Sequence, residues 1–378
     1  MKKQSPRTEF DAVIVGAGMA GLGAALALSA RGKKVLVVGR KQLRGESSPA
    51  AGGILDPLLE MHPSSPLLPL TLEAYRRWPA QARRLERRTG IRTGYKRLGM
   101  LYLAYDRRES RALQERQSWH RRTGVPLHPL PAKKIIQWIP SVSRRFRSSL
   151  FYPSIARVQP PLLLKACKAL LRKQGGRIFL SGGSQIVLNH GRVAGVRAGN
   201  RLFSSGTVIN ATGSWAGVNR QLGTRPRVLP ARGQILIFKN RRLKIPTILH
   251  SLDGGYIVPW ENGRYLTGST VEKAGFVPKV TPAGIRKIRG RIERLVPGLR
   301  GLEPVDQWAG LRPYSADHFP WIGPTRIRGL YLACGYFRVG LLISFLAGEL
   351  LAEAIITGRM PKILKPFSPE CRSKKRRR

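Results

Sequence analysis

The chain has 378 residues, 42% of them hydrophobic, which is enough to bury a large core in two domains. Lysine and arginine outnumber the acids 68 to 20, a formal charge of +48 spread along the sequence, which argues for a cationic surface that attracts polyanions and against a dedicated nucleic-acid groove. Three distant cysteines argue against a disulfide framework and fit a reducing cytosol, and six scattered histidines without HxH or HExxH spacing argue against a metal centre.

Met1-Lys2-Lys3 is a basic start, but Glu9 and Asp11 follow it where a signal peptide needs an apolar core, so none is expected. Residues 11–38 then predict strand, turn, helix and strand. The parts are Ala12-Val13-Ile14-Val15, the turn Gly16-Ala17-Gly18-Met19-Ala20-Gly21, a helix over 22–30 closed by Gly32, and Val35-Leu36-Val37-Val38. In that setting GxGxxG is a dinucleotide-binding fingerprint. Its glycines allow the tight turn, the approach of a pyrophosphate and close helix packing, with the helix N-terminus aimed at the phosphates. One part is missing. The acid expected about twenty residues past the first glycine, to bind the adenosine ribose, is absent. Gly39-Arg40 stand in its place, and the nearest acid is Glu46. Arginine there fits a 2′-phosphate and hence NADP, and equally fits the basic drift of the whole chain.

Residues 47–55 are small and let backbone pass close to a flat ligand. An amphipathic helix with a basic outer face follows over 70–88, then a strand-pair element over 95–105 and a polar helix over 108–123. Pro161 opens a helix over 161–174, and short strands are expected at 177–180, 184–188 and 193–198. The buried strand 207–210 runs into the small residues 211–215, where open α/β sheets place ligands. The dinucleotide domain is therefore discontinuous. Residues 229–275 are rich in strands (234–238, 247–250, 255–259 and 264–269), with Asn262-Gly263 as a hairpin signal, and a helix follows over 282–296. The apolar run 339–356 is broken by Glu349 and Glu353 and reads as a buried helix, not a membrane span. The run Lys374 to Arg378 reads as a solvated end. The expected class is α/β: a Rossmann-like domain over 1–90, 151–228 and 316–378, with an inserted, mostly antiparallel α+β substrate domain over 91–150 and 229–315.

The glycine turn is joined by 47–56 (SSPAAGGILD), 210–217 (NATGSWAG), 231–234 (ARGQ), 255–259 (GYIVP), 268–275 (GSTVEKAG), 308–313 (WAGLRP) and 335–342 (GYFRVGLL). In this order the stretches resemble the D-amino-acid oxidase superfamily of FAD-dependent amine and amino-acid oxidases. Within it they look most like the glycine oxidases of thiamin biosynthesis. The resemblance implies FAD, not NADP. It assigns the cofactor to Gly16, Gly18, Met19, Ala20, Gly21, Arg40, Ser47, Ser48, Ala51, Gly52, Val158, Ala211, Gly213, Trp215, Arg338, Val339, Gly340 and Leu341. Arg312 falls at the family's carboxylate-binding arginine, with Tyr256, Arg338 and Val271 lining the same pocket. The departures are Gly39, where the family usually carries glutamate, and Val339, where it often carries asparagine.

Chemistry agrees with these assignments. Flavin oxidation of an amine asks little acid–base work of the protein, whereas the substrate carboxylate must be held, which a planar guanidinium does with two parallel bonds. Arg312 and Arg338 each lie in an apolar, glycine-flanked segment where an unpaired charge is costly. Cys334 and His318 read as structural. By the resemblance, glycine and oxygen give an imine and hydrogen peroxide in the cytoplasm, the imine serves thiazole formation, and a thiazole synthase is a candidate partner. A homo-oligomer stays open. Three other readings stay open too: a D-amino-acid or proline dehydrogenase feeding a quinone, an oxidase of an aminomethyl-modified tRNA base, and a flavin fold without catalysis.

Overall fold

The computed structural model describes residues 9–374 except Leu43, Glu60 and 219–225, so the expectations for residues 1–3 and for the terminal run 375–378 lie outside the described residues. A six-stranded sheet runs in the order Trp321–Pro324, Leu330–Cys334, Val208–Asn210, Ala12–Val15, Val35–Arg40 and Arg177–Ser181. It is parallel apart from its first strand. Such a sheet must be covered on both faces, and the first strand shows how. Ala12 and Ile14 face a helical layer containing Met19–Ser29, Pro160–Lys173 and Gly340–Thr357, while Val13 and Val15 face the small antiparallel sheet Ser184–Asn189, Arg192–Ala198 and Arg201–Ser204.

The second sheet has seven strands, in the order Asp306–Ser315, Val228–Lys239, Arg264–Gly268, Tyr256–Pro259, Ile248–Ser251, Met100–Ala104 and Ser148–Tyr152. All its pairs are antiparallel except Ile248–Ser251 with Met100–Ala104. Period-two alternation divides Met100–Ala104 cleanly. Leu101 and Leu103 join the core under the helix Pro282–Leu295, while Met100, Tyr102 and Ala104 fill the opposite face. The Asn262-Gly263 hairpin forms with both residues at positive φ.

Two expectations shift. The strand pair expected over 95–105 forms two strands, but in two different sheets: Lys96–Arg97 pairs with Ala156–Arg157, and Met100–Ala104 joins the seven-stranded sheet. Gly99, at φ 71, makes the bend between them. The domain crossings expected at 151 and 229 fall inside the strands Ser148–Tyr152 and Val228–Lys239, both of which belong to the second sheet.

The apolar run at 339–356 forms the helix Gly340–Thr357, long and apolar enough to cross a membrane by length and composition, yet packed here in the core. It crosses Met19–Ser29 backbone to backbone. A Cβ on Gly23 would lie 2.2 Å from the Ser344 carbonyl oxygen, and one on Gly348 would lie 2.3 Å from the Gly23 carbonyl carbon.

Candidate active site

A cavity of about 1100 Å³ is lined from both large sheets. That exceeds the usual span of a drug-sized pocket and suits a dinucleotide with a small second ligand. Its floor is the glycine turn. Gly16 has φ 121, and a Cβ on it would sit 2.3 Å from the Ala211 carbonyl oxygen. A Cβ on Gly21 would sit 1.9 Å from the Gly16 carbonyl oxygen, so the third glycine holds helix against turn without lining the cavity. The helix Met19–Ser29 has no side-chain cap of its own at Gly18; the Ser48 hydroxyl accepts from the Met19 N–H at 3.0 Å. The helix Gly340–Thr357 likewise has no side-chain cap from its own N-cap residue, Val339, and its Gly340 and Leu341 line the same cavity. Two positive helix ends thus face one space, the arrangement that suits phosphate and flavin.

Arg312, Tyr256 and Arg338 all line this cavity. Arg312 is held firmly. Its Nη1 donates to the Thr270 carbonyl and its Nη2 to the Ser269 hydroxyl, each at 2.9 Å. The guanidinium lies over Gly233, where a Cβ would fall 2.1 Å from Nη1. Gly233→Ala is therefore expected to displace the cation and lower kcat/KM by roughly tenfold to a hundredfold, with flavin content unchanged. Steady-state kinetics beside the visible spectrum checks it.

The motifs that carried the resemblance turn out to brace this arginine. Arg232 pairs with Glu272, and the fully buried Gln234 side chain binds Glu272 and Thr281. Together they fix the segment that presents Ser269 and Thr270. The Ser214 hydroxyl donates to the Leu311 carbonyl at 2.7 Å, tying the loop after Val208–Asn210 to the Arg312 strand. Phe337 ties in the third element. Its backbone is left-handed (φ 43), its N–H donates to the Pro313 carbonyl at 3.0 Å, and its ring meets Tyr314 and His318 edge-on. The turn carrying Arg338 is thereby set against the strand carrying Arg312.

Behind Tyr256 lies a buried polar layer that the sequence did not reveal. His250 sits between the rings of Tyr256 and Tyr102, and Asp56 lies within 3.5 Å of the Tyr102 hydroxyl. Burial pushes His250 down to about 3, so it is neutral. Burial also pushes Asp56 up to about 6, against the opposing pull of the Leu58 N–H, Arg116, Tyr102 and Arg338. The folded protein thus holds the Asp56 proton more tightly than the unfolded chain does. That contribution is complete below the ordinary carboxylate pKa and is lost as pH rises through about 6, by roughly 3 kcal/mol. Asp56→Asn is expected to flatten this interval of the stability–pH curve in denaturant melts.

Most of the assigned cofactor residues line the cavity: Gly16, Gly18, Met19, Ala20, Arg40, Ser47, Ser48, Ala51, Gly52, Ala211, Gly213, Trp215, Gly340 and Leu341. Val339 does not; it is the buried residue that precedes the helix. Val271 is corrected. It is 52% exposed and lines no part of the cavity, because the ladder stops at Gly268 and resumes only in the Arg232–Glu272 bridge, which turns its side chain out. Val158 is corrected as well. It is fully buried in the helical core, its N–H donating to the Gly53 carbonyl, and lines no part of the cavity, whereas Gln185 and Ile186 do. Cys334 lines the cavity with its thiol pushed up to about 12 by burial, which makes it inert at neutral pH. Among the described residues no cluster of His, Cys, Asp and Glu could hold a metal ion.

Comparison with known proteins adds four findings. Residues 11–354 match the family described as FAD dependent oxidoreductase (DAO). A glycine oxidase of Pseudomonas putida is 31% identical, over 95% of this chain and 98% of that protein. The crystal structure of glycine oxidase from Geobacillus kaustophilus superposes with a TM-score of 0.87 at 28% identity, covering 95% of this chain and 98% of that one. The bifunctional protein ThiO/ThiG of Trichormus variabilis is 28% identical over 94% of this chain, which matches 54% of that longer protein.

Proposed function

Because the chain belongs to the FAD dependent oxidoreductase family, we propose that this cavity binds FAD and oxidises glycine or an amino acid of similar size. The chain is an FAD-dependent amino-acid oxidase. The observation that carries the substrate reading is the fixed guanidinium of Arg312 in the same cavity as the glycine turn. A planar guanidinium anchored by Thr270 and Ser269 suits a carboxylate. FAD, when bound, supplies the two-electron acceptor that takes a hydride from the carbon bearing the amine.

The protein's own residues bind and orient. The glycine turn and the N-terminal end of Met19–Ser29 would hold the pyrophosphate, and Ser47, Ser48, Ala51, Gly52, Ala211, Gly213 and Trp215 would line the rest of the cofactor's space. Arg312 takes the substrate carboxylate, and Tyr256 and Arg338 close around it. The start of Gly340–Thr357 offers a positive end to negative charge gathered in the cavity. The overall reaction converts glycine and oxygen to the imine and hydrogen peroxide. The imine would pass to thiazole formation, and the fused ThiO/ThiG relative supports a thiazole synthase as the partner. Cys167, Cys334 and Cys371 are all free thiols, which fits a cytoplasmic setting.

Oxygen uptake and peroxide release test the reading, with glycine, sarcosine, D-alanine and D-proline as candidates. Glycine turnover with one peroxide per oxygen is expected. Reduction of a quinone analogue without oxygen uptake would replace the oxidase with a dehydrogenase.

A further inference from the structure

Taking FAD as the cofactor, as proposed above, we infer that Arg40 is a clamp on its pyrophosphate. It closes over the glycine turn in place of the missing ribose-binding acid. The sheet order sets the geometry. Val35–Arg40 and Val208–Asn210 flank Ala12–Val15 on opposite sides, and the glycine turn rises from the strand between them. Arg40 ends the first flanking strand, and Trp215 follows the second. Yet the Arg40 guanidinium lies 4.5 Å from the Trp215 ring centroid. The side chain therefore spans the turn, and both residues line the cavity.

Three observations give the span a purpose. The Arg40 Nη1 is shielded from solvent and has no acceptor among the described residues. A buried cationic donor left unpaired is costly, so an acceptor is expected to arrive with a ligand. Glu46, the nearest acid in sequence, is engaged elsewhere, its Oε2 accepting from the Arg44 N–H. The phosphate cradle is also short of a donor, since the Met19 N–H is already taken by Ser48. An arginine supplies what the turn lacks.

The adjacent position shows why an acid does not do this work. A Cβ on Gly39 would stand 2.9 Å from the Ala17 Cβ and 3.0 Å from the Leu180 side chain. A glutamate there would have to displace both before reaching a ribose. Reading of the ribose hydroxyl is closed off at this strand end, and a charge contact to phosphate takes over.

Calorimetric binding to the flavin-free protein tests this, with FAD, ADP, adenosine and adenosine 2′,5′-bisphosphate as probes. Arg40→Gln is expected to weaken FAD and ADP by about tenfold or more, leave adenosine unchanged, and be partly rescued by Arg40→Lys. Wild-type affinity for ADP, but not for adenosine, should also fall with salt, a readout that needs no variant. Binding of FAD and ADP by Arg40→Gln as tight as by the wild type would overturn the inference. So would a loss shared equally by adenosine, or a wild-type preference for the 2′,5′-bisphosphate over ADP that the variant lacks. A wild-type protein that takes up no FAD would instead overturn the cofactor reading itself.

Discussion

Arg312→Ala is expected to lower kcat/KM for glycine by about 10²- to 10³-fold while the protein keeps its flavin; truncating a charge paired in a desolvated site costs roughly 3–4 kcal/mol. The guanidinium is the one group in the account that holds the substrate carboxylate, and its own anchors are fixed. Thr270 presents a backbone carbonyl, and Ser269 follows directly from the strand Arg264–Gly268. The loss should fall mainly on KM, because the carboxylate is held in both ground and transition states. Arg312→Lys keeps a charge but loses the fork, so it should recover only part of the activity. Kinetics with the flavin spectrum as an internal control separates these outcomes. Unchanged kcat/KM would remove Arg312 from the site.

Gly348→Val is expected to destabilise the protein by about 3 kcal/mol or more and to lower its flavin content, since overpacking at a backbone contact leaves nothing flexible to yield. The contact lies between two main chains. A Cβ at 348 meets the Gly23 carbonyl carbon and oxygen and the Ala24 nitrogen within 2.6 Å. Both helices start at the cavity, through Met19 and Ala20 on one and Gly340 and Leu341 on the other. Pushing them apart therefore disturbs the cradle as well as the core. Thermal melts in the presence and absence of added FAD measure both effects. An unchanged midpoint would mean that the helices do not cross this closely.

The two predictions differ in how far the sequence announced them. Arg312 stood out because an arginine in an apolar, glycine-flanked stretch needs a reason. The glycine turn and the Asn262-Gly263 hairpin were legible because local chemistry alone fixes them. The Gly23–Gly348 crossing was not. Both glycines sit in helices that are apolar nearly all round, so no amphipathic period marks the contact face. Val271 and Val158 misled for a related reason: a motif gives spacing but not the direction of a side chain once a strand leaves its ladder. The wall at Gln185 and Ile186 was foreseen as a strand but could not be placed, since its pairing with Arg192–Ala198 depends on tertiary packing. The Asp56–Tyr102–His250 layer was hidden similarly, because residues far apart in the chain meet only when the second sheet forms.

The central claim is that glycine gives its electrons to a flavin held in this cavity. An anaerobic visible spectrum of the purified protein, before and after glycine, tests it most directly. The account predicts flavin absorbance that bleaches with glycine and returns on admitting air. Flavin that stays oxidised in the presence of glycine would contradict it.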